Sequence, residues 1–230
     1  MAVSINKYIG SSGYCSRREA DVLIAEGRVE LNDKPAAKTD VVYEGDVVTV
    51  DGVRLTAKKK FTYIIFNKPV GVTCTTDLKD KTNIIDFINH PQRIFPVGRL
   101  DKDSSGLILL TDDGDIVNHI LRQEHNHEKE YLVRVKQPIG KDFAKQMSSG
   151  TMFIGRERVK PCKVKVESKH TFRITLTQGL NRQIRQMCLQ IGYNVSDLMR
   201  VRIMHIPLGV LKLGRWRNLS DVELDGFFKS

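Results

Sequence analysis

The N-terminal stretch carries two short helical patterns. Ile5, Tyr8 and Ile9 fall on one side of a turn that begins after Ser4, and Ser11, Ser12 and Gly13 break it. Ser16-Arg17-Arg18-Glu19 then has the form of a capping box, in which the serine and glutamate side chains satisfy each other's free amides. Ala20, Leu23 and Ile24 continue the apolar side of that helix, and Gly27 suits its end. Val29-Glu30-Leu31 alternates as a strand, Asn32-Asp33 turns, and Val47–Val50 forms a second strand that closes at Asp51-Gly52. These features predict a unit of two helices and small strands over residues 1–54, a linker over 55–60 and a second domain over 61–230.

From residue 61 the apolar runs predict strands at 63–66, 107–110, 131–135, 164–167, 172–177 and 202–206. Helical spacing predicts helices at 83–88, 115–122, 141–147, 181–191 and 221–228, the last opened by a second capping box, Ser220 with Glu223. Strands and helices do not alternate strictly, so a doubly wound parallel sheet fits poorly. The pattern predicts an α+β domain with a mixed sheet flanked by helices.

Composition narrows the class. Of 230 residues, 40% are hydrophobic and 28% charged, enough apolar content for one or two folded domains. No apolar run approaches the roughly 18 residues that span a bilayer, and the start of the chain lacks the pattern of a secretion signal. The expectation is a cytoplasmic protein with no membrane partner. Cys15, Cys74, Cys162 and Cys188 lie far apart with no CxxC pair, which supports neither a disulfide framework nor a zinc ribbon.

Charge gives the first functional indication. The formal net charge is +10, and it is unevenly placed. Residues 1–60 hold 10 basic and 9 acidic side chains, whereas residues 151–217 hold 14 basic and only 3 acidic. Such a concentration of positive charge attracts polyanions. The basic residues alternate with apolar ones in strand-like segments and form no basic amphipathic helix, which argues against a membrane surface as the partner.

Three segments could carry chemistry. Gly98 and Gly106 bracket a polar loop, Arg99-Leu100-Asp101-Lys102-Asp103-Ser104-Ser105, that runs directly into an apolar strand. A loop anchored to a strand end can hold a carboxylate in place, and Arg99 and Lys102 favour the ionised form of a nearby Asp. A solvated Asp-Lys-Asp loop would look the same. In Asn181-Arg182-Gln183-Ile184-Arg185-Gln186-Met187, the residues Ile184, Met187, Cys188 and Ile191 make an apolar helix face with Arg185 beside it. A half-buried arginine needs an anionic partner, for which Asp101 is a candidate. Arg182, near Gly179 and the helix start, is placed to face phosphate. Tyr131 opens a strand, either as an ordinary packed aromatic or as a platform for a base.

His119, His125 and His127 have no nearby cysteine and no HExxH pattern, so no metal site is expected. A Walker loop, a GxGxxG turn and a serine nucleophile elbow are also missing, and no cofactor is expected.

Taken in order, Asn67-Lys68-Pro69-Val70-Gly71, Gly98-Arg99-Leu100-Asp101 with Ser104, Gly106 and Leu107, Lys129-Glu130-Tyr131, and Gly179-Leu180-Asn181-Arg182-Gln183-Ile184-Arg185 resemble the RsuA-type family of pseudouridine synthases. Residues 4–50, with Asn6-Lys7-Tyr8 and Cys15-Ser16-Arg17-Arg18-Glu19-Ala20-Asp21, resemble the S4 RNA-binding module that precedes that catalytic domain. Among the branches, CSRREAD, GRLDKDSSGL and HEKEYLV look most like the RluF branch. The resemblance implies an S4-like module followed by a catalytic domain built on a mixed, mainly antiparallel sheet, acting as a monomer on 23S ribosomal RNA, with transfer RNA open as a further substrate. It implies Asp101 as the catalytic aspartate, Tyr131 as the active-site tyrosine and Arg185 as the arginine that pairs with the aspartate. It marks Lys7, Arg17, Arg18, Lys68, Arg99, Lys129, Asn181 and Arg182 as candidates for RNA contact. Two other readings share part of this pattern: a non-catalytic RNA-binding factor, and a Mg²⁺-dependent enzyme using Asp101 with Asp103.

Overall fold

The structure is a computed structural model, and it describes residues 2–56, 58, 60–121 and 127–228. Contacts divide the chain into two units, residues 1–62 with 112–114, and residues 63–111 with 115–230.

In the first unit the helices Ile5–Ser11 and Arg17–Ala25 pack over small strands. The capping box forms, with the Glu19 amide bonded to Ser16 Oγ at 3.1 Å and the Ser16 amide to Glu19 at 2.6 Å. Val29–Leu31 pairs antiparallel with Val48–Val50, and two-residue turns at Asn32-Asp33 and Asp51-Gly52 adopt the positive φ of tight hairpins. Ile5, Ile9, Ala20, Val29, Val48 and Val50 form its core. Residues 55–62 and 112–114 join this unit because Asp112 accepts from the Lys58 ammonium and from the Thr62 amide.

The second unit is built on a nine-stranded sheet among the described residues. Its main path runs Lys163–Ser168, Thr171–Leu176, Lys129–Val135, Val195–Ile203, Ser105–Thr111, Tyr63–Lys68 and Trp216–Asn218. Ile206–Pro207 and Phe95–Val97 pair on Val195–Ile203 and Ser105–Thr111. Every pairing is antiparallel except one, the short parallel contact of Met199 with Ser105 and Arg200 with Gly106. The expected α+β class with a mixed, mainly antiparallel sheet is therefore the one found.

The strand Ser105–Thr111 is buried along its whole length, as its continuous apolar run requires. One half of the sheet packs Phe172, Ile174 and Val133 against Met187 and Cys188 of the helix Gln183–Gln190. The other half packs Ile65, Leu107 and Leu109 with Ile116, Ile120 and Phe227 on one face, and Ile64, Phe66 and Ile108 with Ile84 and Ile88 on the other. The predicted helix at 115–122 is Gly114–Leu121, and its expected last residue, Arg122, lies outside the described residues.

The predicted strand at 202–206 instead starts seven residues earlier, at Val195. Asp197, Arg200 and Arg202 interrupt its apolar run and disguise it. The parallel contact depends on Gly106, whose φ is +103° and whose missing Cβ would lie 2.3 Å from the Arg200 carbonyl oxygen. Only glycine allows that approach.

Candidate active site

At this junction a cavity of about 480 Å³ opens over the sheet. Asp101, from the loop between Phe95–Val97 and Ser105–Thr111, lines it. Tyr131 and Arg200 come from neighbouring strands and sit directly opposite each other in register. A bulge between Glu130 and Tyr131 in that pairing re-aims the strand at this point. Lys129, His127, Arg99, Asn181 and Arg182 complete the polar lining, while Leu100, Leu176, Ile184 and Leu198 supply apolar walls.

The Asp101 loop is fastened at successive residues. The Leu100 amide donates to Cys74 Sγ at 3.4 Å, the Ser104 amide to the Asp101 carbonyl at 3.1 Å, and the Gly71 amide to the Lys102 carbonyl at 2.8 Å. Arg185 Nη2 donates to the Asp103 carbonyl at 2.8 Å. Asp103 also receives Arg182 through a two-pronged pair at 3.0 and 2.7 Å. That pair holds the Asp103 carboxyl below the usual carboxylate range. The Asp101 side chain stays about one-third exposed, with Arg182 3.8 Å from its carboxylate.

The expected Arg185–Asp101 ion pair is thus replaced. Arg185 reaches the Asp103 carboxylate at 3.4 Å, and Arg182 is the guanidinium that faces Asp101. The reason is geometric. Arg185 lies in the first turn of its helix with its side chain only 15% exposed, and its reach ends at the Asp103 carbonyl, the Ser104 hydroxyl and the Val195 carbonyl. Arg182 precedes the helix in a left-handed conformation (φ +50°), which puts its side chain over the loop. Gln183 holds that conformation by accepting from the Leu180 amide at 3.0 Å and donating to Gln178 at 3.3 Å.

Lys68 does not contact RNA from where it sits. It is fully buried, and its ammonium donates to the carbonyls of Pro69 and Val72 at 2.9 and 2.8 Å. Burial pulls its pKa down. It shapes the loop whose Gly71 amide holds Lys102. Arg99 and Asn181 are exposed at the cavity rim. Lys7 is half-buried, and Arg17 and Arg18 are exposed on the first turn of their helix in the first unit.

Sequence reasoning missed Arg200, Asp103 as the partner of two arginines, and His127 as a lining residue. The one available signal for Arg200 was a charged residue at an inward-alternating position of an apolar strand, in phase with Leu198. His125 lies outside the described residues, and no metal-binding cluster occurs among those described.

A loop carboxylate and a strand aromatic thus line one basic cavity on a mixed sheet, and residues 62–190 match the RNA pseudouridylate synthase family model, which defines the class as that of the pseudouridine synthases. The chain belongs to that family, whose members are isomerases. Within it, the chain is 52% identical to the dual-specificity RNA pseudouridine synthase RluF of Escherichia coli K12, over 99% of this chain and 79% of the relative. It is 34% identical to the ribosomal large subunit pseudouridine synthase B of Bacillus subtilis, over 96% of this chain and 93% of the relative. A crystal structure of a pseudouridylate synthase, 27% identical, superposes with a TM-score of 0.72 over 98% of this chain and 99% of that one.

Proposed function

We propose that this isomerase converts a uridine of large-subunit ribosomal RNA to pseudouridine, with Asp101 as the catalytic carboxylate and Tyr131 as the base platform. One observation carries the reading. Asp101 and Tyr131, distant in sequence, line one basic cavity, with Asp101 fastened on both sides by its loop. The name of the Bacillus subtilis relative supports a ribosomal RNA substrate; the words "dual-specificity RNA" allow a second RNA substrate, and transfer RNA is the one to test. Among the described residues no helix is long and apolar enough to cross a membrane; a ribosomal RNA substrate supports work in the cytoplasm.

The reaction breaks the N1–C1′ bond, turns the uracil and joins its C5 to C1′. The N1–C1′ electron pair leaves with the base. An ionised Asp101 meets the electron-deficient sugar either as nucleophile at C1′ or as base at C2′. After the new bond forms, C5 loses its proton and N1, which kept the electron pair, takes one up, so nothing is consumed. Tyr131 offers a ring face on which the detached uracil can turn, and no metal or cofactor is called for by these steps. A stacked nucleotide cannot present C1′ to a carboxylate, so the target is flipped out at a cost of a few kcal/mol. Phosphate contacts from Arg99, Lys129, Asn181 and Arg182 around the cavity, and from Lys7, Arg17 and Arg18 of an S4-like module over residues 1–54, would offset that cost. Lys68, buried, has no part in this set.

The test is Asp101→Asn assayed by mapping pseudouridine in ribosomal and transfer RNA. Product should vanish while RNA affinity stays within a few fold. Substantial product from pure variant protein would refute the assignment.

A further inference from the structure

The sheet treats two neighbouring arginines differently. Arg202 is bonded to Glu130 at 2.8 Å and to Glu128 at 3.0 Å. Arg200, two residues earlier, is more deeply buried, at 4% exposure, yet no carboxylate pairs with it among the described residues. Its Nε donates to the Leu107 carbonyl at 2.7 Å, which locks the guanidinium in one orientation. Its Nη2 is buried and has no hydrogen-bond partner among the described residues. A buried charged donor left unpaired costs several kcal/mol unless something fills it.

That donor belongs to a residue lining the Asp101–Tyr131 cavity, where Arg200 stands opposite Tyr131 in register. Lys129 adds a second cation on the same wall; burial and the charge of Arg200 lower its pKa. The cavity therefore has a carboxylate on the side of the Asp101 loop and positive charge beside the tyrosine.

We propose that Arg200 is a further catalytic residue, its free Nη2 donating a hydrogen bond to a carbonyl oxygen of the uracil and so holding the negative charge that the base carries while it is detached from the ribose. The inference rests on the pseudouridine synthase reading above. When the N1–C1′ bond breaks, the electron pair passes to N1 and spreads onto O2 and O4. A fixed donor aimed at one of those oxygens is stronger in that state than in the neutral nucleoside, which is the condition for speeding the step. No proton leaves the guanidinium, so the balance of the reaction is unchanged. The same donor facing a backbone phosphate would aid binding and not the chemical step, and this difference separates the two sources of an oxyanion.

The experiment uses the full chain in single-turnover reactions at saturating RNA. Target sites carry uridine, 2-thiouridine or 4-thiouridine, because sulfur accepts hydrogen bonds poorly. Arg200→Gln should form pseudouridine about 100-fold more slowly, with RNA affinity within threefold of the parent. One of the two sulfur substitutions should slow the parent protein and have little further effect in Arg200→Gln. Arg200→Lys, which keeps charge and a donor, should recover part of the rate, and it takes over the comparison if thermal melting shows that the glutamine variant is unfolded. Parental rates in both variants overturn the proposal. So does a defect confined to RNA affinity, or a sulfur penalty that is the same in parent and variant. If the parent protein itself makes no pseudouridine in any RNA, the underlying reading fails, whatever the variants do.

Discussion

Arg185 grips the backbone of Asp103 and not the carboxylate of Asp101: its Nη2 lies 2.8 Å from the Asp103 carbonyl oxygen. The guanidinium thus fixes the loop two residues downstream of Asp101. Arg185→Lys keeps the charge but loses the fork that reaches Asp103, Ser104 and Val195 together. A displacement of about 1 Å at a reacting group can cost about 100-fold in rate. Turnover in Arg185→Lys should fall by about 10- to 100-fold, with RNA affinity nearly unchanged. Unaltered turnover in a single-turnover assay would remove Arg185 from the positioning of the loop.

Lys68 belongs to the same scaffold. Lys68→Met removes the donor shared by the Pro69 and Val72 carbonyls and loosens the loop that holds Lys102. The loss should cost about 1–3 kcal/mol, read as a lower urea midpoint, together with slower turnover. RNA affinity should move less than twofold. A tenfold loss of affinity with an unchanged midpoint would restore Lys68 to the RNA-contact set.

Gly106→Ala places a methyl group against the Arg200 carbonyl and imposes a strained positive φ. The two strands must part or shift, and each strained conformation alone costs about 1–3 kcal/mol. A fall in melting temperature and a loss of turnover beyond the fraction unfolded are expected. A variant with both properties of the parent would show that the parallel contact is dispensable.

Acid stability should depend on Glu223. The two-pronged bond from Arg217 at 2.7 Å lowers its pKa to about 2. A carboxylate whose folded pKa is depressed adds stability above its unfolded pKa, near 4.5, and that stability is lost as the pH falls toward 2. Screening through the exposed Arg217 reduces the contribution to about 1–2 kcal/mol. Glu223→Gln should lower the urea midpoint at neutral pH and flatten its dependence between about pH 4.5 and 2. An unchanged acid slope would count against the pair.

What the sequence disclosed follows the physics of each element. The run through Leu107–Leu110 is buried on both faces, so its pattern left no alternative, and the Ser16–Glu19 and Ser220–Glu223 capping boxes are local codes that need no tertiary context. Two- and three-residue strands such as Phe95–Val97, Phe153–Ile154 and Trp216–Asn218 carry too few positions to show a period. Asp101 and Tyr131 were legible as candidates because a loop between glycines and an aromatic at a strand start are visible in one dimension. The partner of Arg185 was not, since residues 101 and 103 are nearly equally distant in sequence and only the packing of the helix against the loop chooses between them. Arg200 was hidden for another reason. Its charge marks it as solvated, and only the pairing of Val195–Ile203 inside the sheet reveals that it is enclosed.

That strand has a bearing on biosynthesis. Val195–Ile203 lies between Lys129–Val135 and Ser105–Thr111, both made before it. Within the sheet, this later segment is the strand that pairs with both of them. Until residues 195–203 are made, the chain lacks both the strand that pairs with Tyr131 and the arginine set opposite it.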